Sequence, residues 1–200
     1  MIFYIVRWSA FLIVIFIAVI IKKRNKNNKK IWRKIISVSI ICFLISFYVP
    51  VENLFITFST PEAAFKYGCT GEVRDMIDGK ESTLILYSPK QKTRSQVVFS
   101  KTERGWKINP FSIPFKEKSG ASQVSIYKSK NSIDYYVVVH TIILDRKSVD
   151  NINIFDNKNT IFRCYIKEYE SYLSILNYAC INNYDENYEL IIDGEIFTFD

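Results

Sequence analysis

Residues 71–88 read GEVRDMIDGKESTLILYS. Two runs rich in β-branched, aliphatic and aromatic residues flank Asp78-Gly79, a dipeptide that favours the tight reversal of a β-hairpin. The same grammar recurs along the chain. SQVVFSK (95–101) leads through Glu103-Arg104-Gly105 to WKINPF (106–111), and SQVSIYKS (122–129) and YYVVVHTII (135–143) flank Lys130-Asn131-Ser132. TIFRCYIKEY (160–169) and SYLSILNYACI (171–181) flank a turn near Glu170, and YELII (188–192) and EIFTF (195–199) flank a second Asp-Gly at 193–194. About nine or ten short strands at hairpin spacing, with no strand–helix alternation, predict a mainly antiparallel β domain of meander or sandwich type. Pro110, Pro114 and Gly120 mark a break that could divide two subsheets but not two domains.

Toward the N-terminus the chain enters this domain through VENLFITFSTPEAAFKYG (51–68). LFITF has strand composition. Ser59 or Thr60 as N-cap, Pro61 at the first helical position, Glu62 as in a capping box and Gly68 at the end predict one helix of about two turns.

The first fifty residues differ in kind. IFYIVRWSAFLIVIFIAVII (2–21) is twenty residues, and at ~1.5 Å per residue it reaches ~30 Å, the thickness of a bilayer's hydrocarbon core. IISVSIICFLISFYVP (35–50), extended back through Ile31 and Trp32, predicts a second span over about 31–50. Ser37, Ser39 and Ser46 are tolerable there because each can bond back to the preceding helical turn. A cleaved signal peptide would place its charges before the apolar core and a small-residue cleavage site after it. Here the charges follow, in IAVIIKKRN. Arg7 is expected to snorkel to the headgroups from near the helix end.

Between the spans lies a loop, 22–30, within a strongly basic tract: Lys22, Lys23, Arg24, Lys26, Lys29, Lys30, Arg33 and Lys34, with no acid among them. Lys and Arg in short loops stay cytoplasmic, so these eight residues set the topology, with the N-terminus and everything after Pro50 outside. The expected organisation is a transmembrane helical hairpin over 1–50 and an extracytoplasmic β domain over 51–200. The formal charge of +7 does not indicate nucleic acid. Residues 1–50 carry +9, whereas residues 51–200 carry −2 and offer no footprint for a polyanion.

Little in 51–200 announces chemistry. His140, the single histidine, sits within YYVVVHTII among apolar neighbours and reads as a sheet residue satisfied by a hydrogen bond. No local motif supplies a nucleophile or an orienting carboxylate. Cys42 lies in the second span. Cys69, Cys164 and Cys180 lie outside, where a disulfide is permitted, but none belongs to a C-x-x-C pair, so a zinc site with His140 lacks the usual short spacing. Asp75, Asp78 and Glu81, then Asp145, Asp150 and Asp156, then Asp185 and Glu186 read as solvated turns. DRKSVDNINIFDNKN (145–159) lacks the spacing of a calcium loop. Tyr135, Tyr136, Tyr165, Tyr169, Tyr172 and Tyr178 could form an aromatic surface for glycan or peptide, though strand propensity accounts for them more simply. No catalytic, cofactor-binding or metal-binding residue is assigned, and no cofactor is expected.

STPEAAFKYG, the Gly/Asp-turn strand pair and SKTERGWKI together resemble small membrane-anchored or exported domains of Gram-positive bacteria, over residues 58–108. The resemblance implies location and fold type and carries over no activity and no site. The resulting expectation is a binding or interaction module of the bacterial envelope. It would be an accessory subunit of a transporter or sensor complex, or an immunity protein, with an envelope hydrolase as the alternative. Its partners would be the bilayer, including anionic headgroups at the basic loop, and another envelope protein, with no nucleic acid.

Overall fold

The apolar run forms helix α1 (Ile2–Arg24), and the segment that follows the basic tract forms α2 (Lys29–Ser46). The computed structural model describes residues 2–24, 29–46, 50–89, 95–109, 112–129, 133–144, 152–181 and 183–199. These group into two units, Met1–Gly71 with Glu103–Pro110, and Glu72–Thr102 with Phe111–Asp200. The helix-start segment and the Gly-Trp segment, which the sequence reading assigns to the β domain, thus group with the N-terminal helices.

In the first unit, Phe43 of α2 stacks on Phe11 of α1 at 4.3 Å and meets Trp8 edge-on at 4.9 Å, so the helices run antiparallel. Ser39 and Ser46 donate to the carbonyls of Ile35 and Phe43, the back-bonding expected of hydroxyls in an apolar helix. Within α1, the 21 residues Tyr4–Arg24 contain an 18-residue stretch of mean hydropathy 2.5, and this is the one helix among the described residues long and apolar enough to cross a membrane. The described part of α2 is 18 residues and includes Lys29, Lys30, Arg33 and Lys34, which leaves it short of that measure. Lys26 lies outside the described residues.

Arg7 departs from expectation. Its guanidinium does not reach out from the helix. It is buried, 4% exposed, against the equally buried Glu52 in a 3-10 turn (Val51–Leu54). The expected LFITF strand is also absent, because Leu54 closes that turn and only Phe58 pairs, in an isolated bridge with Trp106. Asn53 completes the arrangement. Its side-chain amide donates to Ile108 O and accepts from Ile108 N, both at 2.8 Å, imitating a strand neighbour.

Helix α3 (Pro61–Gly68) starts as predicted, with Thr60 as the N-cap accepting from the Ala63 amide at 3.2 Å. Gly68 is required by contact, since a Cβ there would stand 2.8 Å from the Ile108 side chain.

The second unit is antiparallel throughout. Strands β1 (Glu72–Asp78), β2 (Ser82–Ser88) and β3 (Ser95–Thr102) form a meander. WKINPF contributes less than expected, because among its described residues only Trp106, in Gly105–Trp106 (β4) of the first unit, is strand. A five-stranded sheet has the order β5 (Lys116–Ser119), β6 (Ser122–Lys128), β7 (Tyr135–Ile143), β10 (Leu173–Ile181) and β9 (Arg163–Glu168). A third sheet has the order β12 (Glu195–Thr198), β11 (Glu189–Ile192) and β8 (Ile154–Asp156). Strands β5 and β8 escape sequence reading because KEKS is too polar, and the three residues of IFD too few, to show a period of two.

The five-stranded sheet is the middle layer. One face packs Val124, Val137, Val139 and Ala179 against Leu190, Ile192 and Phe197 of the third sheet. The other packs Tyr127, Tyr136, Val138 and Tyr178 against Ile77, Leu84, Leu86 and Val98 of the meander. Burial on both faces explains why YYVVVHTII and LSILNYACI show almost no polar alternation. Each such aliphatic side chain gains about 1.5–3 kcal/mol from leaving water.

Candidate functional site

On β7 the side chains of Tyr136, Val138, His140 and Ile142 point to the face that meets the meander. Tyr136 and Val138 are covered there, whereas His140 is half-buried and Ile142 is exposed, so the face opens at His140. Register decides who joins it. His140 stands opposite Gln123 on β6 and Leu176 on β10. The diagonal neighbour Ser174, paired with Ile142, brings its Oγ to 2.8 Å from His140 Nε2.

Together these residues line a groove of about 300 Å³. Its floor is Val138, Leu176 and Ile142. One wall is polar. Glu117 on β5 accepts hydrogen bonds from Gln123 Nε2 and from Ser125 Oγ at 3.3 Å, while Gln96 on β3 donates to the Tyr127 hydroxyl. Burial raises the Tyr127 pKa above its ordinary value. The opposite wall is aromatic. The β9–β10 hairpin closes with the Tyr169 amide donating to Tyr172 O at 2.9 Å, and the two rings stack at 4.5 Å and 18°. Lys167 Nζ sits 4.8 Å from the centre of the Tyr169 ring.

His140 therefore lies in a strand and is hydrogen-bonded, as the sequence indicates, but its partners come from β6 and β10, and no local motif could reveal them. Of the clustered tyrosines, Tyr136 and Tyr178 belong to the core with the half-buried Tyr165 packed against it, Tyr135 stacks on Tyr184 at 4.3 Å, and Tyr169 and Tyr172 form the groove wall. Cys42, Cys69, Cys164 and Cys180 are all free thiols. Among the described residues no group of three or more His, Cys, Asp or Glu side chains is arranged to hold a metal ion.

The acids divide by role. Asp134, buried, accepts from the Lys80 and Glu81 amides and from Ser82 Oγ at 2.7–2.9 Å. Asp156 caps its own turn through the Lys158 and Thr160 amides, and Asp185 pairs with Lys158. Asp78 accepts from Thr83 Oγ1 at 2.7 Å. Asp145 and Asp150 lie outside the described residues. Among the described residues only Glu117 brings a carboxylate to the groove.

Comparison with protein-family models, with curated proteins and with solved structures finds no match to this chain.

Proposed function

We propose that this chain is a membrane-anchored binding module of the cell envelope that carries its β unit outside the cytoplasmic membrane. Helix α1 is the first span, and α2 with the residues after Ser46 is the second. The basic residues from Lys22 to Lys34 hold the connection inside, gaining about 1 kcal/mol each near an anionic surface. The Arg7–Glu52 pair supports the hairpin, because it ties the start of α1 to the residues that follow α2.

The observation that carries the binding reading is the groove at His140. Its aliphatic floor, polar wall and aromatic wall are the ingredients of a small-ligand site, and its volume is at the lower end of such sites. Occupancy would be transmitted to a partner envelope protein, such as a transporter or sensor subunit.

Cys164, exposed on β9, provides the test of location. A membrane-impermeant maleimide should label it in intact cells. Labelling that appears only after lysis would place the β unit in the cytoplasm and end this reading.

One observation favours a second reading, that of a serine hydrolase: Ser174 Oγ lies within hydrogen-bond reach of His140 Nε2. Against it, Ser174 is 4% exposed, and Glu117 bonds to Gln123 and Ser125. A fluorophosphonate probe that labels the chain at Ser174 would establish the hydrolase.

A further inference from the structure

We propose that the groove at His140 takes a neutral carbohydrate, one or two sugar rings lying on the Tyr169–Tyr172 wall with their hydroxyls toward Gln123, Glu117 and His140. The inference rests on the binding-module reading and names the ligand class that the same groove selects.

Three features carry it. The first is charge. Among the described residues the groove is lined by one carboxylate, Glu117, and Lys167, opposite Ser174, sets its ammonium over the Tyr169 wall, so the two opposite charges favour neither an anion nor a cation and suit a neutral ligand.

The second is the kind of hydrogen-bonding group presented. Gln96 and Gln123 use their NH2 groups toward Tyr127 and Glu117, which leaves each amide oxygen as an acceptor. Carboxylate, amide, imidazole and hydroxyl side by side match a vicinal diol, whose hydroxyls both donate and accept.

The third is where the groove sits. It is on the face of β6, β7 and β10, which are interior strands of the order β5-β6-β7-β10-β9, with their backbone groups engaged in the ladders on either side. An extended peptide that binds by adding a strand needs an open edge, and this face offers none. A sugar needs only side chains. The apolar C–H face of its ring suits a tyrosine face, and its hydroxyl rim suits the polar wall.

Because His140 is the only histidine, its imidazole is a single-signal reporter inside the groove. The full chain, labelled with nitrogen-15 histidine in phospholipid nanodiscs free of glycoside detergent, would be titrated with maltotriose, chitotriose and, separately, trialanine. The expected result is a saturable shift of the imidazole resonance with at least one of the two sugars and none with the peptide. Tyr172→Ala should weaken that binding roughly three- to tenfold while leaving the melting temperature within a few degrees. Should that variant fail to fold, Gln123→Ala, at an exposed position, should weaken binding similarly. A shift with trialanine alone would overturn the carbohydrate assignment and leave the binding module standing. No saturable shift up to about 10 mM of either sugar, a decade above a ~1 mM Kd, would overturn it as well. Fluorophosphonate labelling of Ser174 would overturn the binding-module reading itself.

Discussion

Arg7 holds the Glu52 carboxylate with two hydrogen bonds, Nε to Oε1 at 3.0 Å and Nη2 to Oε2 at 2.8 Å, and both side chains are buried. Forty-five residues separate them in sequence. A fork of this geometry fixes orientation as well as distance, so it sets how the start of α1 meets the turn after α2. Removing one partner strands the other charge in a poorly solvated place. Arg7→Met or Glu52→Gln alone should therefore destabilise the first unit by about 3–5 kcal/mol, whereas the double change Arg7→Met with Glu52→Leu should recover most of the loss. Melting of the detergent-solubilised protein measures this. Equal losses in the single and double variants would show that the pair is not coupled.

The two Asp-Gly turns are predicted to respond differently to substitution. At 193–194 both residues have positive φ, 49° and 86°, and a Cβ on Gly194 would meet nothing within 4 Å. Asn, which tolerates that region, should be accepted there at a cost below about 1 kcal/mol. Gly79 instead lies against Asp134, whose Cγ would be 2.5 Å from an added Cβ. Gly79→Ala should push the carboxylate off the Lys80 and Glu81 amides, and Asp134→Ala should cost about 3 kcal/mol by leaving those donors and Ser82 unsatisfied. Chemical denaturation of the variants would rank them, and a Gly194→Asn cost larger than that of Gly79→Ala would contradict the account.

Acid stability should depend on Asp75. Burial pushes its carboxyl up, but the Tyr178 hydroxyl at 2.7 Å, the Met76 amide and Arg163 more than offset this, and its pKa lies below the ordinary value. A pKa lower in the folded than in the unfolded state gives stability that is present above the unfolded value of about 3.9 and is lost as pH falls through the folded value. Tyr178→Phe should raise the Asp75 pKa and start that loss at a higher pH, while Asp75→Asn should flatten this part of the profile. Melting temperatures between pH 6 and 2 test both, and unchanged acid limbs would dismiss Asp75 as their source.

The thiols should separate by reactivity. Burial pushes Cys69 up to about 12, and burial followed by the nearby Asp134 charge pushes Cys180 up to about 11. Cys164 is also raised by burial of its sulfur, yet its residue is exposed on β9. At pH 8 iodoacetamide should modify Cys164 slowly and leave Cys69 and Cys180 intact until denaturant is added, because the thiolate is the reacting form. Peptide mass mapping gives the answer. Native-state modification of Cys180 would mean that its end of β10 opens.

Local signals in the sequence determined a good deal. The apolar run at 2–21 is a helix because nothing in it interrupts one, and Thr60-Pro61 starts α3 because a cap and a fixed φ are properties of adjacent residues. The hairpins at 72–88, 122–143, 163–181 and 189–198 follow from strand composition around turns. Where the outcome depended on a distant residue, the sequence was silent or misleading. LFITF has strand composition but is held in a turn and a single bridge by Asn53 and Trp106. Arg7 looked like a stray charge until Glu52 came to meet it. The same dipeptide makes a left-handed turn at 193–194 and a different one at 78–79, where Asp134 provides the hydrogen bonds. The groove is the clearest case. His140, Gln123 and Ser174 lie on three strands, and a slip of one residue in either register would turn Gln123 or Ser174 to the other face. Composition fixes that strands form, but the alignment of strands depends on burial and pairing summed over the whole unit, so only the tertiary structure could place these side chains together.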